Sequence, residues 1–389
     1  MTAVRRFTAA VHRLDHALGR LSPRRDVLVE LRTPVYHAVL GPIADAIATE
    51  PDVQVWFTGE QPDRVRDLVP PDRFLTHAEV EWRRFDLYLN GDPWAAARLR
   101  RCAGRVNFFH GVAGKYDLDS PAGLPLGFEY YDRVAFINRD RMARYLAAGI
   151  VRPSQAVLVG YPKLDRLASG ECDHIAARRS LGLAADRPVA LYAPTYSEAS
   201  SLHLAGEAIV RALANAGFAV LVKLHDRSLD PDPRYHSGID WRARFDAIAR
   251  DLGRDRVCFI DVADASPLLA AADILVTDHS SIGFEFLVLD RPLIVFDAPD
   301  LPKAARINPE KIALLRSAAT VVRTPDETAR AAAHDLAHPA IQSAARRSVA
   351  REMFYRPGGA TKRAVELLRT LLHPPALPDQ VPSARDVES

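Results

Sequence analysis

Twelve short apolar runs, separated by segments of helical periodicity, govern what this chain can fold into. Six lie in the first half: Val27–Leu31, Val53–Phe57, Asp86–Leu89, Arg105–Phe109, Arg133–Ile137 and Ala156–Val159. Six follow: Val189–Tyr192, Ala219–Val222, Val257–Ile260, Ile274–Val276, Leu293–Phe296 and Thr320–Val322. Strands this short and apolar, alternating with helices, predict parallel sheets covered on both faces. Twelve are too many for one small sheet and natural for two doubly wound domains. The expected fold is therefore α/β. Residues 1–168 form an N-terminal domain and residues 169–356 a second one. A helix follows over 357–373, then a disordered tail over 374–389, where Pro, Asp, Ser and Glu replace any periodicity.

Composition narrows the function classes. At 48% apolar and 26% charged, the 389 residues suit a soluble globular protein. A net charge of +2 gives no global nucleic-acid signature. Cys102, Cys172 and Cys258 stand far apart with no CxxC, which argues against a disulfide framework or zinc site and fits a reducing compartment. No stretch is apolar enough to span a bilayer, so the chain is expected in the cytoplasm. Val4, Phe7, Val11, Leu14, Leu18 and Leu21 nevertheless repeat at helical spacing, interleaved with arginines. That segment is either a helix packed on its own domain, the favoured reading, or one lying on the inner face of an anionic membrane.

Chemistry concentrates where the expected strands end. The run Ile274–Val276 enters a polar knot, Thr277, Asp278, His279, Ser280 and Ser281, and then an apolar helix. A helix start offers unpaired N–H groups and a positive dipole end, so two serines there suit a phosphate. A plain N-cap accounts for only one of them. Thr195 follows another strand, His225 follows Val220–Leu224, and His110 follows Phe108-Phe109. Ligands of open α/β sheets bind at such carboxyl ends, so one group from the first domain and three from the second outline a cleft between domains. His110 lies in Phe109-His-Gly-Val-Ala-Gly-Lys-Tyr116, where it is either a general base or a histidine in a glycine turn. His225, beside Asp226, is either a phosphate donor or a structural partner of that carboxylate. Asp117-Leu-Asp119 is a DxD triplet, read more readily as a solvated turn than as a metal site. No GxGxxG, Walker, GxSxG or HExxH motif occurs.

Together these segments resemble the CDP-glycerol glycerophosphotransferase family. Thr277-Asp-His-Ser-Ser281 with Phe284-Glu-Phe and Asp290-Arg-Pro-Leu-Ile-Val resembles its TDYSS signature and the strand beyond. His110-Gly111 with Lys115 resembles HGTPLK; Val159-Gly-Tyr-Pro-Lys-Leu-Asp-Arg-Leu167 resembles a GYPRND-type segment; Leu191-Tyr-Ala-Pro-Thr195 resembles YAPTW; and Lys223-Leu-His225 resembles KLHP. Gly358-Gly-Ala-Thr-Lys-Arg363 is similar to a G-x-A-x-x-R helix. The matches run in family order over roughly residues 105–365. Val112-Ala113-Gly114, His279 and Asp226 depart from the pattern, and residues before Arg105 match nothing in it.

The resemblance implies a GT-B architecture, two Rossmann-like domains facing across a cleft. It implies an enzyme moving a polyol phosphate, glycerol phosphate foremost, from a CDP-activated donor to a hydroxyl of a lipid-linked or oligosaccharide acceptor. CMP is released, and the products are teichoic-acid-like or capsular polymers. By position, His110 becomes the general base, His225, Ser280 and Ser281 the holders of the donor phosphates, and Asp278 the residue orienting a catalytic group. Gly111, Lys115, Thr195, Lys223 and Thr277 line the substrates, with Glu285 near the ribose. No cofactor is required and Mg²⁺ is allowed; nucleic acid is not a partner. The rival readings are a UDP-sugar glycosyltransferase or 2-epimerase on the same fold, and an inactive scaffold of a polymer-synthesis complex.

Overall fold

The computed structural model describes Gly19 and residues 22–92, 102–120, 127–184, 186–230, 232 and 237–374. The basic segment over 4–21 lies almost wholly outside the described residues, as does the tail beyond Pro374. Among the described residues, no helix is long and apolar enough to cross a membrane.

All twelve expected strands form, in two six-stranded parallel sheets. The first contains β1 (Arg25–Glu30), β2 (Val53–Thr58), β3 (Phe85–Asn90), β4 (Cys102–Phe108), β5 (Arg133–Phe136) and β6 (Ala156–Leu158), in the order β2-β1-β3-β4-β5-β6. The second contains β7 (Val189–Tyr192), β8 (Ala219–Val222), β9 (Val257–Phe259), β10 (Ile274–Thr277), β11 (Leu293–Phe296) and β12 (Thr320–Val322), in the order β12-β11-β10-β7-β8-β9. Every residue of β7, β8, β10 and β11 is buried, because helices cover both faces.

Each sheet reverses its winding once, between β1 and β3 and between β7 and β10. Loops diverge there and leave a crevice at the strand carboxyl ends, the usual ligand position in such sheets.

The C-terminal helix, Ala360–Leu372, crosses back and packs on the first domain, against the helix Pro34–Ile47 and β3. Val365, Leu368 and Leu372 are buried in the core that includes Val27 and Leu87. The Asp165 carboxylate fixes the start of this helix by accepting from the N–H groups of Gly358, Ala360 and Thr361 at 3.1, 3.0 and 2.6 Å. Arg363 Nε donates to the Val159 carbonyl at 2.7 Å.

Candidate active site

His110 leaves β4 beside the switch point of the first sheet. Its Nδ1 stands 2.8 Å from the Gly91 carbonyl at the end of β3, and its ring packs on Tyr36 at 4.6 Å between centroids. A carbonyl only accepts, so Nδ1 carries the proton and Nε2 keeps the lone pair. Burial draws the imidazole below its ordinary pKa, against the opposing pull of the Gly91 carbonyl and Asp92. His110 is thus a neutral, oriented base at physiological pH. A Cβ on Gly91 would stand 2.8 Å from the Tyr36 ring, so only glycine lets ring and carbonyl share that corner. Beneath it, Asn90 Nδ2 donates to the Asp92 carbonyl at 2.6 Å, Asn107 Nδ2 to Asn90 Oδ1 at 3.0 Å, and Tyr131 Oη to Asn90 Oδ1 at 2.9 Å. The Asp92 side chain accepts from Arg32.

The loop after His110 is held by both domains. Tyr161 Oη donates to the His110 carbonyl at 2.8 Å, and Arg141 donates to the Gly111 carbonyl at 2.6 Å. From the second domain, Ser281 Oγ accepts from Val112 N at 3.4 Å, and His279 Nε2 reaches the Ala113 carbonyl at 2.9 Å. Tyr116 N donates to Ala305 O at 3.0 Å, and Asn308 N donates to Gly114 O at 2.9 Å. These backbone bonds hold Tyr116 and Asp117 in the left-handed region, φ 57° and 61°, which non-glycine residues rarely adopt. The loop thereby sends Lys115 Nζ to Thr195 Oγ1 and Tyr116 Oη to Tyr196 Oη. Burial pushes the Lys115 ammonium down to about 8, with the Asp278 charge opposing.

The second domain supplies its own crevice. Asp278 is fully buried; it accepts from Thr195 N, Ser201 N and Ser201 Oγ, each at 3.0 Å. It ties the β7 loop to the helix Ser201–Asn215 and presents no oxygen to the cleft. Thr277 Oγ1 donates to the Ala193 carbonyl at 2.6 Å and is likewise fully buried. Both residues shape the loops that a substrate would meet. Ser280 occupies the N-cap position of the helix Ser281–Phe286, yet its side chain makes no capping bond. Ser281 Oγ faces Gly111, 3.7 Å from where a Cβ would stand.

His225 leaves β8 with Nδ1 2.5 Å from Asp226 Oδ1, and its ring packs on Tyr196 at 4.8 Å. Lys223 Nζ donates to the Leu224 carbonyl at 2.8 Å. Glu285 is 2% exposed and accepts from Lys163 of the first domain at 2.7 Å. A cavity of about 640 Å³ opens between the domains beside His225, walled by Pro34, Val35 and Arg64 on one side and Lys223, Trp241 and Arg242 on the other. His110, Ser280 and Ser281 lie outside its wall, so site and cavity adjoin at His225.

Sequence reasoning missed Gly91, Asp92, Arg32, Tyr36, Lys163, Arg64 and Trp241. The polar end of β3, Asn90-Gly-Asp92, carried a signal of the same kind as His110. Asp119, read as part of a solvated turn, is instead buried in an ion pair with Arg141 at 2.8 Å, while Asp117 pairs with Arg306 at 2.7 Å. The burial follows from the loop being pressed between the domains. Among the described residues no group of three or more His, Cys, Asp or Glu side chains could hold a metal ion.

Two Rossmann-type domains facing across a cleft, with polar groups gathered at both switch points, define a GT-B-like transferase. The sequence profile of the CDP-glycerol:poly(glycerophosphate) glycerophosphotransferases matches residues 147–369, more than half of the chain, and the chain belongs to that family. A structure of the wall teichoic acid polymerase TagF soaked with CDPG superposes with a TM-score of 0.67 at 16% identity, covering 96% of this chain and 99% of that one. The UDP-GlcNAc 2-epimerase of Neisseria meningitidis, bound to UDP-GlcNAc, gives 0.54 at 16% identity, over 88% and 99% of the two chains. A putative UDP-N-acetylglucosamine 2-epimerase from Listeria monocytogenes gives 0.57 at 17%, over 89% and 96%. No curated protein sequence matches the chain.

Proposed function

We propose that this enzyme transfers glycerol phosphate from CDP-glycerol to an acceptor hydroxyl, releasing CMP, in the synthesis of a teichoic-acid-like or capsular polymer. The observation that carries the reading is the meeting of the His110 loop with Ser281: a base with an oriented lone pair sits on a loop whose Val112 touches the serine turn of the other domain.

In the reaction, the acceptor oxygen attacks the donor's β-phosphorus as its proton passes to His110 Nε2. The bond from that phosphorus to the oxygen of the α-phosphate breaks, and CMP leaves. Such transfer is mainly positioning and neutralisation of spread charge. Ser280, Ser281, Lys115 and His225 supply the neutralisation. Burial holds the His225 imidazole below its ordinary pKa, with Asp226 beside Nδ1 opposing; the negative charge of an arriving phosphate adds to that opposing pull and favours donation from Nε2. The cavity of about 640 Å³ has room for the nucleoside, with Trp241 on its wall. Glu285, expected near the ribose, is closed off by its pair with Lys163 and lies outside the wall of that cavity. The acceptor enters over the first domain, past Tyr36 and Arg32, and carries a polymer or lipid-linked chain at the inner membrane surface. No metal is needed in this scheme, and Mg²⁺ on the diphosphate is compatible with it.

The test is incubation with CDP-glycerol, CDP-ribitol and UDP-GlcNAc, each with a glycerol-phosphate oligomer, and measurement of released CMP or UDP. CMP from CDP-glycerol is expected. UDP release or epimerised UDP-GlcNAc would overturn the reading, and CMP from CDP-ribitol alone would change the transferred group.

A further inference from the structure

The segment Lys223-Leu-His225 departs from the family pattern at Asp226, and the residue that follows is an arginine. Asp226–Leu229 form a 3-10 turn at the carboxyl end of β8. Asp226 and Ser228 line the large cavity, but Arg227 between them does not. Its side chain runs instead to the loop after β7. There Nη1 donates to Tyr196 Oη at 3.0 Å and the guanidinium lies 5.3 Å from the centre of that ring. Tyr196 also meets His225, packed on its ring, and Tyr116, bonded to its hydroxyl from the first domain.

The turn is also anchored from across the cleft. Arg64, on the helix after β2, donates to Asp230 Oδ2 at 2.7 Å and to the Asp226 carbonyl at 3.3 Å. Arg227 therefore projects from a backbone fixed by both domains. Its charge acts on first-domain groups: it helps hold His110 below its ordinary range, after burial, and it opposes the burial-driven rise of Tyr36. The cation thus joins the loop that carries His110 through Tyr196 and Tyr116, at the meeting of the two domains.

We propose that Arg227 grips the phosphoryl group being transferred, opposite His110, an assignment that rests on the transfer reaction given above. A guanidinium suits this place because it stays charged at every working pH and offers planar paired donors to phosphate oxygens. It neutralises charge on the β-phosphoryl oxygens as the acceptor attacks; Ser280 and Ser281 serve the diphosphate from the helix side. Tyr196, itself bonded to Tyr116, holds the guanidinium against thermal wandering.

The experiment compares wild type with Arg227→Gln and Arg227→Lys. Affinity for CMP and for CDP is read from thermal shift, and turnover from CMP release with CDP-glycerol and a glycerol-phosphate oligomer. CMP lacks the β-phosphate, so Arg227→Gln is expected to bind CMP as wild type does and to bind CDP about tenfold more weakly. Its kcat should fall on the order of 10²-fold, the cost of losing one charge-stabilising donor. Arg227→Lys should fall between, and millimolar guanidinium should restore part of the lost rate. Equal loss of CMP and CDP affinity would mean that Arg227 only props the cleft, and would overturn the assignment. So would unchanged CDP affinity, an unchanged kcat, or a wild type stabilised by neither nucleotide. Wild type that discriminates CDP from CMP through Arg227 yet releases no CMP from CDP-glycerol would overturn the proposed reaction while leaving the phosphoryl contact in place.

Discussion

Lys163, on the turn after β6, donates to Glu285 of the second domain at 2.7 Å, and both side chains are more than nine-tenths buried. The pair is sequestered between the two sheets, so neither partner has water to fall back on. Removing one leaves an uncompensated buried charge, worth about 3–5 kcal/mol of destabilisation. Lys163→Met is therefore expected to unfold at markedly lower denaturant than wild type, and Lys163→Met with Glu285→Leu to recover most of the loss. Additive losses in the double variant would show that the two residues do not act as a pair.

His110→Ala should lower turnover by ~10²–10⁴-fold, the usual worth of a positioned general base. CDP affinity should stay near that of wild type, because His110 lies outside the wall of the cavity proposed for the nucleoside and serves the acceptor hydroxyl. His225→Ala should lose both rate and CDP affinity. Equal affinity losses in the two variants would make His110 a phosphate ligand instead of a base.

The donor turn has a simple test. Ser280→Ala with Ser281→Ala should weaken CDP-glycerol binding while leaving the melting temperature of the free protein within a few degrees, since Ser280 caps nothing. Unchanged affinity would remove the phosphate from this turn. Adding EDTA to the wild-type assay separates protein-only neutralisation, which chelation spares, from a scheme in which Mg²⁺ bridges the diphosphate.

The pH profile of kcat/KM should have two limbs. His110 must be unprotonated to accept the hydroxyl proton, and its pKa lies below 6.5, so the acid limb falls below that value. Lys115 must be charged to meet a phosphate, and it loses its proton near 8. Lys115→Arg keeps the charge and should push the alkaline limb upwards. An alkaline limb that stays near 8 in that variant belongs to another group.

His279 governs stability in acid. Burial lowers its imidazole to about 4, against roughly 6.5 in the unfolded chain. The unfolded state therefore binds more protons between those values, and stability present above pH 6.5 is lost as the pH falls towards 4. At about 1.4 kcal/mol per unit the loss is on the order of 3 kcal/mol. His279→Gln, which can still donate to the Ala113 carbonyl, should flatten that slope in denaturant melts at pH 4.5 and 7. An unaltered slope would place the acid sensitivity elsewhere.

The fold was legible because β7, β8, β10 and β11 are buried on both faces, so their apolar runs are uninterrupted. The strand-end rule also led from sequence to His110, Thr195, His225 and the Ser280-Ser281 turn. What stayed hidden depends on partners far apart along the chain. Arg64 meets Asp230 across 166 residues, and Lys163 meets Glu285 across 122. Neither spacing leaves a periodic trace, and a lone lysine or arginine reads as a solvated surface residue until the second sheet faces the first. Asp278 and Thr277 were visible as polar, but not the direction in which they point. Their hydroxyl and carboxylate turn inwards because the β7 loop and the Ser201 helix start need acceptors and donors there.

The helix Ala360–Leu372 has a bearing on synthesis. Chains emerge from the ribosome N-terminus first, and domains generally fold as units in that order. Here the first domain cannot seal its core until Val365, Leu368 and Leu372 have left the exit tunnel, after the entire second domain. The half that begins the polypeptide is the half finished last. Until then β3 and the Pro34–Ile47 helix show apolar surface to the cell, so a stop codon placed just before Ala360 should cost solubility in the first domain more than in the second.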